Sequence, residues 1–154
     1  MSRNAGGRIL VCFDGSADAA QAIQRAGDLL VARDALVLTV WQPTAALGSF
    51  SWEGEAAGMV NFVELDRAGA EDAGRIAEEG VRLAREAGLD AEPTAIKATG
   101  PVWKTIVETA DAHDAAAIVM GCRGLTGLRS MLLGSVSSAV VHHANRPTLV
   151  VHDA

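Results

Sequence analysis

Five short apolar runs recur along the 154 residues, separated by segments whose apolar residues repeat at helical spacing. The runs are Arg8–Phe13 (RILVCF), Ala35–Trp41 (ALVLTVW), Asp90–Lys97 (weakened by Pro93), Ala115–Met120 (AAAIVM) and Thr148–His152 (TLVVH). Between the first two, Asp18–Arg33 places Ala19, Ala22, Ile23, Ala26, Leu29 and Leu30 on one helical face, with Ser16 as its N-cap. Phe62–Ala87 predicts a long helix with a stripe of Phe62, Leu65, Gly69, Ala73, Ile76, Gly80, Leu83, Ala84 and Ala87, ended by Gly88. Its glycines at 69, 74 and 80 weaken it and allow bending. A third helix starts at Gly100-Pro101 and turns Val102, Thr105, Ile106, Thr109 and Ala110 inward. The last runs from Ser135 to near Asn145, with Val136, Ala139, Val140 and His143 on one stripe. Strands that alternate with helices in this way predict one α/β domain: a doubly wound parallel sheet, right-handed crossovers, helices on both faces. Ligands of such sheets bind at the carboxyl ends of the strands, near the point where strand order reverses.

The fourth run leads into a stretch with chemistry of its own, Gly121-Cys122-Arg123-Gly124-Leu125-Thr126-Gly127, and a further Gly134-Ser135 opens the last helix. Strand, glycine loop and helix N-terminus in that order build an anion site. Glycines let the backbone approach, and unpaired N–H groups at the helix start point at a phosphate. Ser135 and Ser137 add hydroxyls, and Arg123 and Arg129 are the nearby cations. The spacing is Gly121-x2-Gly124-x9-Gly134-Ser135. A chain this rich in glycine meets it by chance on the order of 1–2% of the time, so the context decides its weight. Asp14, at the carboxyl end of the first strand, lies at the same edge; it is equally suited to a turn in Asp14-Gly15-Ser16.

Composition excludes several classes. A net charge of −6 without a Lys/Arg cluster argues against nucleic acid as the main partner. No apolar run approaches the ~20 residues of a membrane span. The N-terminal MSRNAGGR leads into a strand without a signal-type apolar core, which predicts a cytoplasmic protein. The two cysteines and four histidines show no metal-binding spacing. Residues 42–61 have no periodicity; their Phe50, Trp52 and Met59 suit a cover over a ligand, a partner contact or a simple anchor.

The glycine signature, with ILVCFDGS, LVLTVW, AAIVMG and GSVSSAVVHHANRPTLVV, resembles the ATP-binding branch of the universal stress protein family, over nearly the whole chain. The resemblance implies a five-stranded sheet of order 3-2-1-4-5 and a site for ATP, with AMP or ADP as alternatives and Mg or Mn accompanying the phosphates. It implies Cys12 and Asp14 beside the ribose and adenine, and Val40 at the base. It implies Gly121, Arg123, Gly124, Gly134, Ser135, Val136 and Ser137 around the phosphates, with Met120 also among the nucleotide-binding residues. It also implies a homodimer that pairs the Thr148–His152 edges, and a regulator of stress responses with little or no turnover. The sequence agrees on turnover, since it has no Walker lysine motif and few acidic residues around 121–138. A nucleotide-dependent enzyme, a slow ATPase and a nucleotide-free interaction module remain the alternatives. In the implied strand order Cys12 and Cys122 lie close together, either as packing residues or as a redox gate whose thiol pKa is lowered by Arg123 and helix N-termini.

Overall fold

The central strand is β1 (Arg8–Cys12), whose Ile9, Leu10 and Val11 are buried, as a strand covered on both faces requires. The computed structural model describes residues 7–44, 62–124 and 133–152. Around β1 the chain builds α1 (Ala17–Leu29), β2 (Asp34–Trp41), α2 (Phe62–Glu86), β3 (Asp90–Lys97), α3 (Val102–Ala112), β4 (Ala117–Gly121), α4 (Ser135–His143) and β5 (Thr148–Val151). All strand pairs are parallel and the order is β3-β2-β1-β4-β5, the predicted topology. Strand order therefore reverses between β1 and β4.

Helices cover both faces. On one, α1 and α2 lay Ala22, Ile23, Ala26, Val81 and Ala84 against Ile9, Val11 and Val37. On the other, Ile106 and Ala110 of α3 and Val140 of α4 meet Leu10, Leu36, Leu38 and Ile118. Among the described residues edge strand β3 pairs only with β2, which explains how it tolerates Pro93 opposite Val37.

Two helices differ from the prediction. α1 stops at Leu29, four residues before Arg33, because the Arg33 carbonyl accepts the Asp90 amide at 2.6 Å and the chain must already be extended there. Leu29 is accordingly exposed and not part of the apolar face. In α2, burial begins only at Ala73; Phe62 (51% exposed) and Leu65 (45%) lie outside the core that their spacing suggested. The helix runs unbroken through its glycines. A Cβ on Gly80 would come within 2.7 Å of Phe13 Cδ1 and Val37 Cγ1, so that residue sets the distance between helix and sheet. The charged face of α2 is solvated, with Arg82 between Glu79 and Glu86, contacts that add little stability.

Candidate functional site

β1 and β4 end side by side at the reversal of strand order, and a cavity of about 490 Å³ opens above them. That volume falls in the usual range for small-molecule sites. All eleven residues singled out from the sequence line it: Cys12, Asp14, Val40, Met120, Gly121, Arg123, Gly124, Gly134, Ser135, Val136 and Ser137. Leu38, Val102 and Ile106 add an apolar wall. Arg129, with Leu125 to Gly127, and Phe50, Trp52 and Met59 lie outside the described residues.

Asp14 serves the local turn and the cavity together. Its Oδ1 accepts the Ser16 amide at 2.9 Å across Gly15, whose φ of +84° suits glycine. Its Oδ2 faces Gly124, 2.8 Å from where a Cβ on that residue would stand. Ser16 caps α1 as expected, its Oγ accepting the Ala19 amide at 3.2 Å.

Across the cavity, the start and end of the glycine loop are tied to one peptide group. The Cys122 carbonyl accepts the Gly134 amide at 2.8 Å and the Ser137 hydroxyl at 2.7 Å, while its own amide donates to Val151 of β5. Ser137 is buried, and its hydroxyl faces two carbonyl acceptors, Cys122 at 2.7 Å and Gly134 at 3.1 Å. Ser135 occupies the first position of α4 and is exposed. The amides of Ser135, Val136 and Ser137 belong to the first turn, where no intrahelical acceptor exists and the helix dipole favours an anion.

Cys12 and Cys122 both line the cavity and are not joined by a disulfide. The Cys12 thiol is pushed up to about 12, by burial first and the Asp14 carboxylate second. It therefore stays protonated at neutral pH and reacts poorly, opposite to the lowered pKa that a redox gate at Cys12 needs.

In the sequence Asp18 stands only as the start of a helix. It is 7% exposed, and its Oδ2 accepts both the Arg123 amide at 3.1 Å and the Arg123 Nε at 3.2 Å. Its signal was present: 18, 22 and 26 share one side of α1, so a carboxylate stands in line with the apolar stripe. Gly121 also proves to have a packing task. A Cβ there would come 2.7 Å from the Asp18 carbonyl carbon and 2.8 Å from the Ala19 nitrogen, so the first turn of α1 rests on its bare backbone. Among the described residues no group of three or more His, Cys, Asp or Glu side chains is placed to hold a metal ion, so Mg or Mn at this edge would be held chiefly by the phosphates it accompanies.

The arrangement can therefore take a ligand with an apolar part against Leu38, Val40 and Ile106 and an anionic part at the start of α4. The chain is 32% identical over 147 residues to the universal stress protein YxiE of Bacillus subtilis, covering 94% of this chain and 97% of that protein. The solved structure of the hypothetical protein MJ0577 superposes with a TM-score of 0.77 at 23% identity, covering 97% of both chains. A universal stress protein solved in complex with cAMP gives 0.63 at 26% identity, covering 97% of this chain and 98% of its own. The sequence pattern described as the universal stress protein family matches residues 7–152, from ahead of β1 to just past β5. With that match spanning the described sheet and the YxiE relationship covering 94% of the chain, the chain belongs to the universal stress protein family.

Proposed function

We propose that the protein binds an adenine nucleotide, ATP or its mono- or diphosphate, as a cytoplasmic regulator in stress responses, with little or no turnover. The observation that carries this reading is the convergence of three strand ends and the α4 N-terminus on one cavity. The apolar wall suits a base, Asp14 a ribose, and the amides of Ser135–Ser137 with Gly124 a phosphate. The similar protein solved with cAMP supports an adenine nucleotide as the ligand class. Little turnover is part of the same proposal, since phosphoryl transfer needs a positioned base or nucleophile and Asp14 is the one acidic side chain lining the cavity among the described residues.

Calorimetric titration with ATP, ADP and AMP tests the reading, and a phosphate-release assay on the same samples tests the expected slow hydrolysis. Ser135→Ala is expected to weaken ATP binding about 10- to 150-fold, the equivalent of losing a hydrogen bond to a charged group worth about 1.5–3 kcal/mol. The melting temperature without ligand should stay the same. Unchanged affinity would remove Ser135 from the phosphates.

The same reading includes a homodimer that pairs the β5 edges. The two edges of the sheet differ: β3 carries Pro93, Glu92 and Lys97 and is mostly exposed, whereas Leu149 and Val150 of β5 are apolar and half-buried. An apolar open edge invites a second strand. The Pro147 and Val151 carbonyls accept the amides of Ile118 in β4 and of Cys122 just after it, so by strand alternation Val150 presents its own amide to the open side. Val150→Pro should therefore give a folded monomer in light scattering at micromolar concentration, where the parent chain shows a dimer mass. A monomeric parent would overturn this part.

A further inference from the structure

The Asp18–Arg123 contact joins α1 to the first residues of the glycine loop across 105 positions of sequence. The Asp18 side chain is 9% exposed and that of Arg123 22%. One bond, to the backbone amide, fixes the direction in which the chain leaves β4. The other, to Nε, sets the opposite charge against the guanidinium at the cavity rim. Among the described residues around the cavity, Arg123 supplies the positive side chain, while Asp14 and Asp18 supply two negative ones. A phosphate there gains from backbone amides and the helix dipole, and little from net charge.

We infer that Asp18 is a specificity-determining, positioning residue which, acting through Arg123, limits how much affinity each added phosphate brings. The inference rests on the nucleotide reading above. Attraction to the guanidinium grows with every charge on the ligand, and a buried carboxylate bonded to the same group cancels most of that growth. The site then distinguishes mono- from triphosphates weakly. A purely structural Asp18 would support all nucleotides alike.

Calorimetry with AMP, ADP and ATP in EDTA separates these roles. Asp18→Asn keeps an oxygen for the Arg123 amide and removes the charge. At roughly two- to threefold per ligand charge, the ATP-to-AMP affinity ratio should rise about fivefold, since ATP carries about two more charges. Added salt should shrink that gain. Arg123→Gln should lower the ratio by a similar factor, and the double variant, with the parent's net charge, should return it close to the parent value. If both single variants weaken the three nucleotides equally, leaving the ratio fixed, the inference is overturned and the nucleotide reading stands. If the parent chain binds none of the three, the nucleotide reading falls and takes the inference with it. Should Asp18→Asn not fold, Arg123→Gln decides alone, because an unchanged ratio there also overturns it.

Discussion

Gly124→Val is expected to abolish nucleotide binding while the domain stays folded. Gly124 is exposed, its φ lies outside the left-handed region, and nothing in the backbone forbids a side chain there. The obstacle is the ligand edge itself: the added Cβ would lie 2.8 Å from Asp14 Oδ2, so the carboxylate must swing away and two further methyls must fit at the cavity mouth. Losing the Asp14 contact and blocking phosphate approach act together. The loss should exceed the ~150-fold upper bound for Ser135→Ala, leaving no thermal shift with millimolar ATP. Normal ATP binding by this variant would show that the loop is not the cradle. A large fall in the ligand-free melting temperature would show that Gly124 is a packing glycine.

Gly121→Val should do the reverse and damage the fold first. Here the added Cβ would meet backbone, the Asp18 carbonyl carbon at 2.7 Å and the Ala19 nitrogen at 2.8 Å, and backbone in a capped first turn cannot rotate aside. Relief requires lifting α1 from β4, which also pulls Asp18 off Arg123. Overpacking a core costs about 1–3 kcal/mol, and a backbone obstruction belongs at or above the upper end. For a domain of this size about 3 kcal/mol lowers the melting temperature by roughly 6–12 °C. Urea unfolding checks the same quantity through its midpoint. A cost under about 1 kcal/mol would mean that α1 yields easily and that the close approach has been over-read. Two glycines of one motif thus separate into different tasks, and ligand-free stability tells them apart.

The sheet was legible because β1, β2 and β4 are apolar enough to be covered on both faces, and Pro93 already marked β3 as weaker. The cavity was legible because three features pointed to one edge and the strand order brought them together. What stayed hidden depends on neighbours distant in sequence. Periodicity gives Leu29 and Phe62 a helical phase but cannot say that nothing packs over them. Nothing near Asp18 in sequence announces Arg123 as its partner, and Gly121 reads as a phosphate glycine until α1 is seen lying on it. Of the two readings of the cysteines, a thiol lowered by Arg123 is not met at Cys12, where burial and the Asp14 carboxylate push the thiol up.

The pairing of β1 with β4, Ile9 opposite Ala117, has a consequence in chain entropy. Asp18 and Arg123 bracket a loop of 105 residue steps, and closing a loop of that length costs about 4 kcal/mol by the logarithmic law. The buried sheet offsets that cost when the domain folds, so a ligand arrives at walls already in register and need not bring them together. Asp14 and Val40 lie in one half of the chain, Gly124 and Ser135 in the other. Either half alone carries residues of the cavity without the cavity.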